Sequence, residues 1–146
     1  MMENPFSPLV KGTVVCLGIG NILRGDDAFG PLIIEGLRNK TSVVAIDAAI
    51  APENYIGKVA RQKPDTVLLF DAVHLGRDPG EWAILSGPEL LESGLTTHDM
   101  SPKRVIAFLE HETKAQIYLV GVQPKQIEIG EEMSAEIKLV TDEIIS

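Results

Sequence analysis

Two acidic residues stand side by side, Asp26 and Asp27, in the segment RGDDAFG that follows an apolar run ending in GIGN. Adjacent carboxylates repel each other unless water, a hydrogen-bond donor or a cation compensates them. They therefore read either as part of a site or as an Asx-type turn with an acidic helix start favoured by the helix dipole. Asp71 ends TVLLFDA, the most apolar stretch of the chain, where a carboxylate is driven to the rim of a water-poor interior unless it is paired or ligated. Asp47 holds the equivalent place in SVVAIDA, and each of the two is either a strand-end site residue or a cap for the helix that follows. His98 lies in the polar segment TTHDM, whereas His74 and His111 have neighbours typical of an exposed surface. A lone loop histidine is usually solvated, so its claim depends on convergence with Asp27 and Asp71. Two carboxylates and one imidazole suit a divalent transition metal and leave coordination positions open for a further ligand.

Gly18 and Gly20 invite comparison with a dinucleotide-binding fingerprint, but Leu23 occupies the third glycine position and no P-loop lysine follows. The paired glycines are then either a close backbone approach to a ligand or simply the turn that a buried strand needs.

The elements that must position these residues follow from the apolar pattern. Short β-branched runs at 13–19, 42–48, 66–72 and 116–122 read as buried strands, and the alternating segment 81–85 reads as an edge strand. Between them, 32–38 (opened by Gly30-Pro31), 52–61, 88–92, 103–110 (opened by Ser101-Pro102) and 134–145 read as helical. Strands alternating with helices imply βαβ units, hence a three-layer α/β/α sandwich with a mostly parallel five-stranded sheet and one antiparallel edge. Such sheets bind ligands at the carboxyl ends of their strands, where Gly18, Gly20, Asn21, Asp47, Asp71 and Gln123 fall.

Composition narrows the function classes. The 146 residues carry 13 basic and 21 acidic side chains, a net charge of −8, which disfavours phosphate backbones and anionic lipid. With 45% apolar residues the chain can bury a core, and it reads as a single domain over 1–146. One cysteine, Cys16, excludes an internal disulfide and points to a reducing, cytoplasmic setting. No apolar stretch approaches the ~18 residues needed to span a bilayer, and the first ten residues lack the pattern of an export leader.

In order along the chain, GIGNILRGDDAFGP, DAAIAPENY, LLFDAVHLGRDPGE, TTHDM and LVGVQP resemble the hydrogenase maturation endopeptidases, nearest to the branch that processes formate-hydrogenlyase-type hydrogenases. The resemblance runs from Val14 to the C-terminal helix. It implies a phosphorylase/hydrolase-like α/β/α sandwich. The implied task is removal of a C-terminal extension from a [NiFe] hydrogenase large-subunit precursor after nickel insertion. It also places the family's metal-contacting residues on Asp27, Asp71 and His98; some branches use glutamate where this chain has the shorter Asp27. Asp26 and Asp47 are then expected to orient or charge-balance that trio, and Asn21 with the backbone of Gly18 and Gly20 to offer donors to a peptide or oxyanion.

Two schemes follow from the trio. A bound divalent cation polarises the scissile carbonyl or activates water, with a carboxylate as base. In the other, nickel already held by the cysteines of the precursor completes its coordination with the trio. The second is preferred, because a site without cysteine is a poor permanent holder of nickel in a thiol-rich cytosol. The partner is then a nickel-loaded precursor met by a monomer. A non-catalytic nickel-sensing adaptor would share the same trio. A peptidyl-tRNA hydrolase-like esterase would share GIGN but would require a histidine soon after the first loop, and the first histidine is His74.

Overall fold

The computed structural model describes residues 6–38, 43–92 and 102–145. β1 (Val14–Ile19) is apolar on both sides and lies at the centre of the sheet's parallel part. A 3₁₀ turn, Gly25–Ala28, leads into α1 (Phe29–Leu37), then β2 (Val44–Ala49), a second 3₁₀ turn at Pro52–Tyr55 and α2 (Ile56–Arg61). β3 (Thr66–Ala72), β4 (Trp82–Ser86), α3 (Gly87–Glu92), α4 (Pro102–Glu112), β5 (Gln116–Val122) and α5 (Ala135–Ile145) follow among the described residues.

The strand order is β2-β1-β3-β5-β4. β1 pairs in parallel with β2 and β3, and β3 with β5, while β4 runs antiparallel along β5. This is the five-stranded, mostly parallel sheet with one antiparallel edge that the apolar pattern predicts. All five residues of β4 are only half-buried, as an edge strand should be.

Two details differ from the sequence-based expectation. α1 begins at Phe29, so Pro31 falls inside its first turn, where a missing N–H leaves no intrahelical bond unmade. The segment 52–61 divides in two. Its first turn has no side-chain cap and is tightened by the Asn54 N–H donating to the Ala51 carbonyl three residues back.

Each face of the sheet is covered. Phe29, Ile33 and Ile34 of α1 and Ile137 and Val140 of α5 pack with Cys16, Leu68 and Phe70 on one side. Val59 of α2, Leu90 of α3 and Val105, Ile106 and Leu109 of α4 pack with Leu17, Ile46, Leu69 and Leu119 on the other. Successive strand residues supply alternate faces, which is why these strands read as unbroken apolar runs.

The chain leaves β1 towards β2 on one side, and β3 continues to β4 and β5 on the other. The carboxyl ends of β1 and β3 therefore flank a topological switch point, where a crevice opens in sheets of this class. α1 is laid directly over it. A Cβ on Gly18 would stand 2.5 Å from both the Gly30 carbonyl oxygen and Ile34 Cγ1. One on Gly30 would strike the Ile19 carbonyl and lie 2.5 Å from that of Phe70. The glycine at position 18 thus serves helix–strand approach rather than a ligand.

Candidate functional site

Asp71 is the sixth residue of β3, paired across the ladder with Gly121. Its neighbours of the same parity, Val67, Leu69 and Val73, all belong to the core beneath α2, α3 and α4, so its side chain leaves the sheet on that face. It is 7% exposed, a carboxylate at the boundary between the core and the open end of the sheet.

Asp27 arrives from the opposite side of the switch point. It sits in the 3₁₀ turn between β1 and α1, and that turn packs against β3. Its Oδ2 accepts the Asn21 backbone N–H at 2.8 Å, and its own N–H donates to the Arg24 carbonyl at 3.0 Å. The Asn21 Oδ1 in turn accepts the Leu23 N–H at 2.8 Å. The half-buried Asp27 carboxylate is therefore held in one orientation by a loop closed between Asn21 and Asp27.

Asp26 points the other way. It is fully buried, and its carboxylate accepts the backbone N–H groups of Lys125 (2.8 Å), Gln126 (2.9 Å) and Ser134 (2.7 Å), together with the Ser134 hydroxyl (2.9 Å). Its own N–H donates to the Gln126 carbonyl at 2.8 Å. A buried carboxylate so fully satisfied is a structural clasp, fixing the loop between β5 and α5 to the turn that carries Asp27. Of the two neighbouring acids, one is thus turned inward to build the turn and the other outward to the rim. Of the two expected roles, to orient or to charge-balance the trio, the contacts of Asp26 suit the first, exerted through the backbone of the turn.

Asp47 is not the structural equivalent of Asp71 that its strand-end place suggests. Its same-parity neighbours Val43 and Ala45 pack on the α1 side, so Asp47 and Asp71 leave the sheet on opposite faces. Its Oδ1 accepts the Ala49 N–H at 2.9 Å and steadies the left-handed backbone of Ala49 (φ 49°). With Gly20, Asn21 and Pro31 it lines a pocket of about 230 Å³ beside the Asp27 loop. It therefore belongs to the Asp27 side alone.

The backbone donors expected at the GIGN loop are engaged within the chain. The Gly20 N–H donates to the Ala49 carbonyl at 2.8 Å and the Asn21 N–H to Asp27, while Gly18 lies within the β1 ladder. These backbone N–H groups therefore shape the loop and are not free for a peptide or oxyanion.

His98 lies outside the described residues. The helix that follows it, α4, has a buried first residue, Pro102, and packs on the Asp71 face. α4 returns the chain to the start of the parallel strand β5, so its N-terminus stands at the carboxyl end of the sheet.

Sequence reasoning missed the positioning role of Ser134, and it placed Gln123 at the ligand end of the sheet without its partners. Ser134 reads only as a helix start, and nothing local signals its bonds to Asp26. The Gln123 Oε1 accepts the Leu75 N–H at 2.6 Å while its Nε2 lies 3.4 Å from His74 Nδ1, tying the loop after β3 to the end of β5. Its place at a strand end puts it among the candidates.

A family model described as hydrogenase maturation protease matches residues 32–146. The chain belongs to this family. The hydrogenase 3 maturation protease of Escherichia coli K12 is 35% identical over 129 residues, covering 86% of this chain and 82% of that one. The crystal structure of the [NiFe] hydrogenase maturation protease HycI from Thermococcus kodakarensis superposes with a TM-score of 0.82 at 37% identity, covering 91% of this chain and 87% of that one. The solution structure of the endopeptidase HycI from Escherichia coli gives a TM-score of 0.80 at 29% identity, over 92% and 87% of the two chains. As a hydrogenase maturation protease the protein is an endopeptidase that hydrolyses peptide bonds, and the adaptor and peptidyl-tRNA hydrolase readings fall away. Among the described residues no helix is long and apolar enough to cross a membrane.

Proposed function

We propose that the protein removes a C-terminal extension from the large-subunit precursor of a [NiFe] hydrogenase once nickel is in place, and that Asp27, Asp71 and His98 recognise that nickel. The observation that carries this reading is that the β1–α1 turn bearing Asp27 and the end of β3 bearing Asp71 flank one switch point. The direction of α4 supports the third member, because Pro102, four residues after His98 in the sequence, begins that helix at the same end of the sheet.

The donor set fits a borderline divalent ion that arrives with other ligands. Two carboxylates and an imidazole leave positions for thiolates, and the protein supplies none of its own. Cys16 is buried within β1 and burial pushes its thiol up to about 12, so it offers no thiolate. Nickel held by precursor cysteines meets a complementary set of oxygen and nitrogen donors. A nickel-free precursor lacks the charge that would hold it against two carboxylates.

The residues of the chain then act by position. The Asn21 N–H fixes the Asp27 carboxylate, the Asp26 clasp fixes the turn, and β3 fixes Asp71, so that seating the ion seats the peptide. Nickel held by Asp27, Asp71 and His98 would add Lewis acidity to this positioning. The test is to incubate the purified protein with nickel-loaded and nickel-free precursor and weigh the products by mass spectrometry. Loss of a C-terminal fragment from the loaded form alone is expected. Equal shortening of both forms overturns the role of nickel, and no shortening of either overturns the reaction.

A further inference from the structure

Four large aliphatic side chains, Ile22, Leu23, Ile50 and Ile129, are between 60% and 78% exposed. They belong to three loops at the carboxyl end of the sheet, following β1, β2 and β5. The other exposed large apolar residues among those described, Phe108 and Leu139, lie apart on α4 and α5. Scattered exposed aliphatics are ordinary, whereas a group gathered on one rim marks an interaction surface.

The loops after β1 and β5 are tied together by hydrogen bonds. Ile22 and Leu23 lie inside the turn closed by the Asn21 N–H on Asp27 and the Leu23 N–H on Asn21. The Leu23 carbonyl accepts the Gly130 N–H at 2.9 Å, joining that turn to the loop that carries Ile129. Arg24 Nε donates to the Ile127 carbonyl at 3.1 Å in the same junction. Ile22 and Ile50 line the 230 Å³ pocket floored by Pro31, next to Asp27. Hydrogen bonds that could have folded these side chains inward instead hold them out to solvent, which lowers the entropic cost of docking.

We infer that Ile22, Leu23, Ile50 and Ile129 form the rim on which the protein substrate docks, through an apolar surface of the precursor rather than a charged one. The occupant is fixed by continuity: the rim and Asp27 share one hydrogen-bonded turn, and the partner that an endopeptidase must seat beside its site is its substrate polypeptide. The inference rests on the function proposed above for the identity of that substrate. It goes further in assigning selection among precursors to apolar fit outside the metal-reading trio.

The test compares the unaltered protein with the double variant Ile22→Ser/Leu23→Ser, with Ile129→Ser, and with Leu139→Ser as a control remote from the rim. Both cleavage kinetics and binding of the nickel-loaded precursor are followed. The double variant should melt with the unaltered protein, raise KM about tenfold or more and change kcat by less than about twofold. Ile129→Ser should do the same to a smaller extent, and Leu139→Ser should change neither. An unchanged KM in the folded double variant overturns the rim. If the unaltered protein binds the precursor without cutting it, the proposed reaction fails while loss of binding in the double variant still upholds the rim. If the unaltered protein does not bind the precursor at all, both fail.

Discussion

The Asp26 carboxylate and Ser134 meet twice, through the serine N–H at 2.7 Å and its hydroxyl at 2.9 Å, across 108 residues of sequence. That contact joins the first loop of the fold to its last helix. Asp26→Ala strands three backbone N–H groups and a hydroxyl in a buried pocket, and should cost about 3 kcal/mol. Thermal melting should fall by roughly 10 °C. A melting temperature within 2 °C or so of the unaltered protein would show that the clasp does not hold the turn.

Asp27→Asn keeps an oxygen for the Asn21 N–H, and Asp71→Asn is nearly isosteric, so both should fold. Each should nevertheless lower cleavage of nickel-loaded precursor by about a hundredfold or more, because each removes a charge from the proposed ion site. His98→Ala should do likewise. Near-normal processing by any one, read on gels or by mass, removes that residue from the trio.

Gly30→Ala tests how tightly α1 is laid on the switch point. The added methyl meets the backbone carbonyls of Ile19 and Phe70, which cannot rotate away as a side chain would. A loss of about 2–3 kcal/mol in denaturant unfolding is expected from overpacking. Activity should fall further than stability explains, since the displaced backbone leads directly to Asp27 and Asp71. Unaltered stability would mean that α1 can lift without cost.

Cys16 gives a pH-dependent prediction. Its thiol is raised from 9.0 to about 12 by burial, so the folded state holds the proton more tightly than the unfolded chain. Its contribution to stability is complete below pH 9 and is lost as pH rises from 9 towards 12. Between pH 9 and 10 that loss is about 1 kcal/mol, and Cys16→Ala should remove it from the pH profile of unfolding. At pH 8 the native thiol should resist a disulfide exchange reagent that reacts at once after denaturation. Rapid labelling of the folded protein would contradict the burial.

Much of this architecture was legible because it depends on local pattern. The run 66–72 is a strand from first residue to last, as is 116–122, since both lie in the interior of the sheet and need apolar residues on both faces. The half-buried alternation near Trp82 likewise announced an edge. What the sequence left open is set by distant partners. Nothing near RGDD tells which acid turns inward, because the donors that decide it are at Lys125, Gln126 and Ser134. Asp47 and Asp71 end similar strands and look equivalent. Only the registers of β2 and β3 send them to opposite faces. Gly18 resembled a ligand loop, and its actual neighbour, Gly30, is recognisable only once α1 is docked.

The most direct measurement is anomalous diffraction at the nickel edge from crystals of the protein soaked in a millimolar nickel salt. One peak is expected at the carboxyl ends of β1 and β3, with an Asp27 oxygen, an Asp71 oxygen and a His98 ring nitrogen each about 2.0–2.2 Å from it. Nickel bound elsewhere, or the three side chains directed into separate regions with no peak between them, would contradict the proposal that they read one ion together.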